Sequence, residues 1–405
     1  MKKFNKVLSV VVASAMVMAM AGCGNTDNGS AATGTNAATE SAAASDSAAS
    51  GSVFKIGGIG PTTGGAAVYG LAVQHGAEIA VEEINAAGGI NGYQVEFKFQ
   101  DDEADAEKSV NAYNALKDWG AQIIDGSTTS GACIAVTDKT KEDNMFQITP
   151  SGSAVECVQY DNNFRVCFSN PNQGLASAQY IGENGLAEKI AVIYDSSDVY
   201  SSGIYEKFAK EAENQPFEIV AAEAFTADNK TDFSVQLQKA KDAGADMVFL
   251  PIYYQESALI LTQAAAMGYA PKWFSCDGMD GILGGVDNFD VSLTEGVMLL
   301  TPFAADATDD LTQSFVTKYK EKYGDTPNQF AADSYDAIYV IKAAIEKSGV
   351  TPDMSVSDIC DGMKAAMTEI TVDGLTGNGM TWTADGEANK APKAVVIENG
   401  AYKAM

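Results

Sequence analysis

Basic residues are scarce in this 405-residue chain. Lysine and arginine together number 26 against 54 aspartates and glutamates, and the formal net charge is −28. An acidic surface of this kind repels nucleic acid and anionic lipid headgroups, and the sequence contains neither a helix-turn-helix pattern nor a basic stripe. Nucleic acid is therefore excluded as a partner.

Histidine is rarer still, with the single residue His75 inside an apolar helical pattern. No serine or cysteine stands beside it as an evident nucleophile, and the sequence lacks G-x-S-x-G, Walker and metal-ligand motifs. Residues 58–63 follow a strand pattern but end in Thr63, where a dinucleotide-binding turn has glycine or alanine. We expect a packed helix residue at position 75, no cofactor, no metal and no enzyme, with an exported α/β enzyme as an open alternative.

Cysteine pairs with metal-ligand spacing are also missing. Six cysteines occur, and none forms a C-x-x-C motif, which argues against a zinc site. Once Cys23 is assigned to the N-terminal signal below, five remain: Cys133, Cys157, Cys167, Cys276 and Cys360. Export permits at most two disulfides among them, and Cys157 with Cys167 is the pair we expect first.

The N-terminus has the features of an export signal. Three lysines open residues 1–22, an apolar run follows that is too short to span a bilayer, and Ala21-Gly22 precedes Cys23. This arrangement resembles the lipobox of bacterial lipoproteins, which predicts a lipid anchor on Cys23. Residues 24–52 contain no aliphatic side chain larger than alanine, so residues 23–52 are expected to form the lipidated end and a flexible tether.

Strand and helix patterns alternate through most of residues 53–405, which predicts an α/β fold with mostly parallel sheets covered on both faces. The length exceeds what one core usually serves, so we expect two lobes. The predicted helices include 106–119, 173–183 and 203–213, and the predicted strands include 218–225, 247–250, 272–275 and 394–397. Three helical patterns near 308–323, 329–348 and 355–367 have no strand between them and must pack on an existing sheet. The predicted division is 53–168 plus 301–378 for lobe 1 and 169–300 plus 379–405 for lobe 2.

Two stretches at the ends of predicted strands are rich in hydroxyl groups. Residues 124–132 and 148–154 each pass from an apolar run into glycine, serine and threonine, and a helical pattern at 132–143 follows the first. Strand ends that open onto helix starts leave N–H groups unpaired, and hydroxyls add further donors. These neutral donors predict a site for a carboxylate, although two ordinary helix caps or turns remain an alternative.

Four motifs of the first lobe together resemble those of branched-chain amino acid ABC transporter substrate-binding proteins. They are Gly-Pro-Thr-Thr-Gly at 60–64, Ile-Asn-Ala-Ala-Gly-Gly-Ile-Asn-Gly at 84–92, Asp-Asp at 101–102 and Ile-Thr-Pro-Ser at 148–151. The resemblance covers nearly all of residues 53–405. It implies a type I periplasmic-binding-protein fold, in which two doubly wound α/β lobes are joined by a three-crossover hinge and close on one amino acid.

The resemblance also implies roles for particular residues. Asp277 falls where the Leu/Ile/Val binders carry a glutamate that accepts from the ligand ammonium group, and its shorter side chain puts the exact ligand in doubt. The other implied ligand contacts are hydroxyls for the carboxylate and amine and aromatic rings for the side chain, namely Thr129, Ser130, Ser151, Ser153, Tyr69, Tyr200 and Tyr253. A plain turn at Asp277-Gly278 and surface packing of the tyrosines are the alternatives.

The sequence therefore predicts a monomeric receptor, lipid-anchored to the outer face of the cell membrane, that passes an amino acid to an ABC transporter permease. A branched or aliphatic amino acid is the expected ligand. The alternatives are another small solute such as an amide, urea or an aromatic compound, the exported enzyme already named, and a purely sensory protein without a transporter.

Overall fold

The computed structural model describes residues 51–405, so the predicted signal, Cys23 and nearly all of the tether lie outside the described residues. The first sheet has five parallel strands: β1 (Phe54–Gly60), β2 (Val95–Asp101), β3 (Ile123–Asp125), β4 (Phe146–Thr149) and β5 (Asn163–Arg165). Their order across the sheet is β2-β1-β3-β4-β5. Every residue of β3 and β4 is buried, because helices cover both faces.

The second sheet has seven strands: β6 (Lys189–Asp195), β7 (Glu218–Phe225), β8 (Met247–Leu250), β9 (Lys272–Ser275), β10 (Met298–Thr301), β11 (Lys393–Glu398) and β12 (Ala401–Ala404). Their order is β12-β11-β10-β9-β8-β6-β7. Strands β6 to β10 pair in parallel, whereas β11 runs antiparallel to β10 and forms a hairpin with β12. The predicted pairing of residues 394–397 with the second sheet is confirmed.

Within residues 51–405, ten α-helices surround the sheets: α1 (Ala67–Ala86), α2 (Ala106–Trp119), α3 (Ser130–Asp143), α4 (Asn170–Glu183), α5 (Val199–Ala212), α6 (Ser234–Asp242), α7 (Tyr254–Ala266), α8 (Asp310–Tyr323), α9 (Gln329–Ser348) and α10 (Val356–Met367). Several begin at a side-chain cap. Asp105 accepts from Lys108 N and Asp309 from Thr312 N, each at 2.9 Å. These carboxylates satisfy N–H groups that a helix start leaves unpaired.

Helices α8 to α10 pack against the first sheet although they follow the second in sequence. Glu83 on α1 accepts hydrogen bonds from Lys318 at 2.6 Å and from Tyr335 at 2.7 Å. Asn144, just after α3, donates to Ser357 Oγ at 2.8 Å. These contacts support the predicted lobe ranges, whose limits stay a prediction.

The chain passes between the two sheets three times, after β5, after β10 and before β11. The predicted fold of two α/β lobes joined by three crossovers is thereby confirmed. A buried polar cluster holds the third crossover: Lys390 Nζ lies 2.7 Å from Asp333 Oδ1 on α9. Next to this pair, Asp336 accepts from Leu375 N and Thr376 N at 2.8 and 2.9 Å. A buried ion pair with further hydrogen bonds fixes geometry more than it adds stability.

The predicted starts of three helices were too late. Helix α3 begins at Ser130 rather than 132, α4 at Asn170 rather than 173, and α5 at Val199 rather than 203. In α3 and α4 the first turn is polar or contains proline, so apolar periodicity does not mark it. Strand β12 was not predicted because its four residues alternate only weakly.

The expected disulfide between Cys157 and Cys167 is wrong. All five cysteines among the described residues are free and buried. Cys157 lies in a 3-10 turn before β5 and packs with Cys133 of α3 in a small apolar cluster, with its thiol pointing to Ser130 O at 3.6 Å. Cys167 follows β5, so the strand separates the two positions in the chain.

The prediction for His75 is confirmed. Its ring stacks on Tyr323 with 3.6 Å between centroids, and its Nδ1 lies 3.2 Å from the Tyr319 hydroxyl. Burial, the largest influence, lowers the pKa of His75. Among residues 51–405 no helix combines the length and apolar character that crossing a bilayer requires.

Asp125, at the end of β3, generates a prediction about stability. Burial raises its pKa to about 7, and the Ser334 hydroxyl at 3.0 Å only partly offsets that shift. The folded chain thus holds this proton more tightly than the unfolded chain does. The protonated Asp125 carboxyl therefore contributes fully to the free energy of unfolding below about pH 4, and this contribution is lost as the pH rises to 7. We expect Asp125→Asn to raise the free energy of unfolding at pH 8, by on the order of 3 kcal/mol, and to change it little at pH 4.

Urea denaturation at the two pH values measures this difference. Asp118→Asn, an exposed position on α2, is the matched control and should leave the pH dependence unchanged. Parallel pH profiles for Asp125→Asn and the unchanged chain would contradict the assignment of a buried, shifted carboxyl.

Candidate functional site

The predicted ligand residues meet around one small cavity of about 10 Å³. It lies where the carboxyl ends of strands from the two sheets face each other, which is where open α/β sheets place their ligands. Ten residues line it: Tyr69, Thr128, Thr129, Ser130, Ser151, Tyr200, Tyr253, Asp277, Gly278 and Phe330. Seven of the eight residues predicted from the sequence are in this set.

The first lobe contributes neutral hydroxyl and N–H groups. Thr129 is the residue before α3, and its buried Oγ1 has no hydrogen-bond partner within residues 51–405. Ser151 Oγ donates to Thr128 O at 2.6 Å, which holds the two hydroxyl-rich segments together. The start of α3 adds backbone N–H groups that no helical carbonyl accepts. This side of the cavity therefore suits an anionic group.

Ser153, the eighth predicted residue, stands behind the cavity and does not line it. Its N–H and that of Ala154 both donate to Ser130 Oγ at 3.2 Å, and its carbonyl accepts from Asn170 N at 2.7 Å. Ser153 thus positions Ser130 and connects the first lobe to the start of α4.

The second lobe contributes a single buried carboxylate. Asp277 begins a 3-10 turn after β9 and is 4 % exposed. Its Oδ1 accepts from the Tyr200 hydroxyl at 2.6 Å and its Oδ2 from Gln173 Nε2 at 2.8 Å. Burial raises the pKa of Asp277 to about 7, against the lowering effect of these donors and with a further increase from nearby Asp333. All its side-chain partners are neutral, so the carboxylate lacks a cation.

Aromatic rings close the rest of the cavity. Tyr200 and Tyr253 stack with 5.0 Å between centroids, and Tyr69 meets Tyr253 edge-on at 5.5 Å. Phe330 of α9 lies 4.4 Å from the Tyr69 ring. The sequence reasoning missed Phe330 because it appears only as the second residue of a helical pattern, far in sequence from the first-lobe motifs.

Tyr69 also connects the lobes through hydrogen bonds. Its hydroxyl donates to Gly278 O and accepts from Tyr254 N, the latter at 3.2 Å. Tyr69 belongs to α1 of the first lobe, whereas its two partners follow β9 and begin α7 in the second. A Cβ atom at position 278 would lie 2.6 Å from the Tyr200 hydroxyl, so this close approach requires glycine. The two bonds thus join the lobes beside the cavity.

The arrangement offers recognition groups at opposite ends of one cavity. Neutral donors face an acidic acceptor, with rings between them, as a zwitterion with an apolar side chain requires. No group of three histidine, cysteine or acidic side chains that could hold a metal occurs in the part of the chain the structure describes.

Comparison with known proteins agrees with this geometry. A model of the family described as periplasmic binding protein matches residues 53–401. The Leu/Ile/Val-binding protein homolog 3 of Brucella melitensis is 30 % identical over 300 residues, covering 74 % of this chain and 80 % of that protein. The leucine-, isoleucine-, valine-, threonine- and alanine-binding protein of Pseudomonas aeruginosa is 30 % identical over 302 residues, covering 73 % and 78 %.

A solved structure shows the same likeness. The branched-chain amino acid transporter substrate-binding protein LivJ of Streptococcus pneumoniae, in complex with isoleucine, superposes with a TM-score of 0.78 at 28 % identity. It covers 87 % of this chain and 98 % of its own. The resemblance found in the first-lobe motifs is thereby confirmed, and the chain belongs to the periplasmic binding protein family.

Proposed function

We propose that the chain is an extracytoplasmic receptor that captures a branched-chain aliphatic amino acid between its lobes and delivers it to an ABC importer. The observation that carries this proposal is the buried carboxylate of Asp277, without a cation, across a cavity from the neutral donors at Thr129 and the start of α3. The amino acids named for the relatives support the same ligand class.

An amino acid zwitterion would complete both ends of the cavity. Its ammonium group would sit against Asp277 and supply the missing positive charge. Its carboxylate would accept from the Thr129 hydroxyl and from N–H groups at the start of α3. Burying either ionic group unpaired would cost several kcal/mol, so the site favours ligands that carry both.

The rings of Tyr69, Tyr253 and Phe330 give the remaining wall an apolar character, which suits an aliphatic side chain. Ligand pockets typically measure about 300 Å³ or more. The present cavity is far smaller, at about 10 Å³, so we infer that the lobes part to admit a ligand. The ligand then favours closure to the extent that it binds the closed form better, and a permease can recognise the closed form.

The remaining parts of the proposal concern location and partners. We infer that residues 1–22 direct export, that Cys23 carries the lipid anchor and that residues 24–52 tether the folded part to the outer face of the cell membrane. We further infer that the receptor acts as a monomer at an ABC transporter permease and leaves its ligand chemically unchanged.

The first test measures how much the ammonium group of the ligand contributes to its affinity. The chain from residue 23, refolded from urea to remove any carried ligand, is titrated calorimetrically with leucine, isoleucine, valine and 4-methylpentanoate, which is leucine without its amine. We expect leucine to bind at least about 100-fold more tightly than 4-methylpentanoate, because only leucine pairs with Asp277. In Asp277→Asn that ratio should fall close to one.

Asp287→Asn, an exposed acid ten residues further on, is the control and should keep the full ratio. An equal ratio of leucine to 4-methylpentanoate affinity in Asp277→Asn and the unchanged chain would show that Asp277 does not bind the ammonium group. If the chain bound an amide, urea or an aromatic acid in further titrations and none of the amino acids, the proposed ligand class would be wrong.

The second test addresses closure. Tyr69→Phe retains the ring but removes the hydroxyl that bonds Gly278 O and Tyr254 N across the lobes. Two such bonds contribute about 1–3 kcal/mol, so leucine affinity should fall about tenfold, mainly through faster dissociation. Stopped-flow release of leucine measures this, with Tyr205→Phe, whose ring stacks on Tyr194 away from the cavity, as control. An unchanged release rate would refute a closing role for Tyr69.

The third test addresses the anchor. Cys23→Ser removes the thiol to which a lipid would attach, so we expect the protein to leave the membrane fraction when cells are lysed and centrifuged. Ser30→Ala in the predicted tether is the matched control and should stay with the membrane. Equal membrane fractions for both variants would contradict lipidation at Cys23.

A further inference from the structure

Arg165, the single arginine of the chain, is fully buried at the end of β5 and does not line the ligand cavity. Among the described residues its one carboxylate partner is Glu387, which precedes β11. The Glu387 side chain is 34 % exposed, and its Oε1 lies 3.4 Å from Arg165 Nη2. Arg165 Nε has no hydrogen-bond partner within residues 51–405. A long contact to a partly solvated carboxylate compensates a buried cation poorly, so net positive charge remains inside the first lobe.

The guanidinium group is held by backbone carbonyls of the second hydroxyl-rich segment. Arg165 Nη1 donates to Gly152 O at 3.2 Å, and Nη2 donates to Ala154 O at 2.8 Å. The Gly152 carbonyl and the Ser153 N–H belong to one planar peptide group. This N–H donates to Ser130 Oγ at 3.2 Å. Arg165 is thus connected to the Ser130 hydroxyl through a single peptide group.

A second peptide group reaches the same hydroxyl. Its carbonyl, Ser153 O, accepts from Asn170 N at the start of α4 at 2.7 Å, and its N–H, that of Ala154, donates to Ser130 Oγ at 3.2 Å. The two N–H donors occupy both lone pairs of the Ser130 oxygen, so the hydroxyl proton points away from them. Because Ser130 lines the cavity, this proton is free for an acceptor on a ligand.

Each hydrogen bond in this series strengthens the next. Donation from a cation to Gly152 O polarises the peptide group, which makes the Ser153 N–H a stronger donor to Ser130 Oγ and the Ser130 hydroxyl a stronger donor in turn. Such cooperative strengthening amounts to about 10–30 % per bond. A carboxylate gains most from it, because an ionised acceptor forms the stronger hydrogen bond and is also attracted by the buried positive charge.

We propose that Arg165 is a positioning residue for the ligand carboxylate and acts through the Gly152–Ser153 peptide group and the Ser130 hydroxyl. It fixes the segment that orients Ser130 and adds positive potential to that end of the cavity without contacting the ligand. The site then has one buried charge for each ionic group of a zwitterion, Asp277 for the ammonium group and Arg165 for the carboxylate. This inference rests on the proposed function.

Leucinamide, in which a neutral amide replaces the carboxylate of leucine, is the probe for this role. Calorimetric titration of the chain from residue 23 with leucine and with leucinamide gives an affinity ratio that reports the carboxylate. Arg165→Gln keeps an amide donor and removes the charge, so this ratio should fall at least about tenfold. Arg165→Lys keeps the charge and should retain more of the ratio than Arg165→Gln does.

The ratio of leucine to 4-methylpentanoate affinity separates this role from a purely structural one. It reports the ammonium group and Asp277, so it should not change in Arg165→Gln if the arginine acts on the carboxylate alone. A segment that merely lost its shape would loosen the closed site as a whole and lower both ratios.

Glu387→Gln tests the charge while the buried arginine stays in place. It removes the one carboxylate partner of Arg165, so the positive potential at Ser130 increases and the ratio of leucine to leucinamide affinity should rise about two- to threefold. Glu398→Gln, an exposed acid on β11, is the matched control and should leave the ratio unchanged. In Ser130→Ala the same Glu387→Gln substitution should raise the ratio less, because the connecting hydroxyl is gone.

An equal loss of both ratios in Arg165→Gln, or a ratio of leucine to leucinamide affinity unchanged in this variant, would overturn the proposed role. If Arg165→Gln does not fold, Glu387→Gln decides alone, and a ratio equal to that of Glu398→Gln would overturn the role. Lack of amino acid binding by the unchanged chain would refute the proposed function and this role with it, whereas leucine binding without these differences would refute the role alone.

Discussion

One buried carboxylate without a cation governs the centre of this molecule. Asp277 is held between the lobes by the Tyr200 hydroxyl and the Gln173 amide, and its pKa is raised to about 7 because those neutral donors do not compensate its burial. Position 278 requires glycine because a Cβ atom there would clash with the Tyr200 hydroxyl. We propose that a positively charged ligand group relieves the burial of Asp277 only inside the shut cavity, so that binding and closure become one event.

The closed arrangement depends on contacts that cross between lobes. Tyr69 bonds two backbone groups of the second lobe, and Asp280 of the second lobe accepts from Gln329 at the start of α9. Behind them, Lys390 pairs with Asp333, a buried carboxylate whose charge raises the pKa of Asp277 further. These few polar contacts are exchangeable with water, but one apolar cluster includes buried residues of both sheets, among them Ile56 of β1 and Val248 of β8. We infer that parting the lobes exposes some of that apolar surface and leaves the interior of each sheet packed.

The sequence predicted the architecture well because apolar periodicity reports which residues a sheet or helix buries. Strands β7, β8 and β9 and helices α2 and α9 have their predicted bounds. The sequence-based prediction failed where the local apolar pattern carries no information. The polar first turn of α3, the role of Phe330 and the free Cys157 all depend on contacts between distant segments. The resemblance placed eight residues at a ligand site, and seven of them line the cavity, but the position of Ser153 behind the cavity required coordinates.

The most direct test of this account is a crystal structure of the chain with leucine. The account predicts the leucine ammonium nitrogen within about 3 Å of an Asp277 oxygen, with the leucine carboxylate at the Thr129 hydroxyl and the start of α3. It also predicts that Tyr69 still bonds Gly278 O. A leucine carboxylate turned toward Asp277, or a ligand bound outside this cavity, would contradict the central claim that a buried carboxylate without a cation selects the ligand and drives closure.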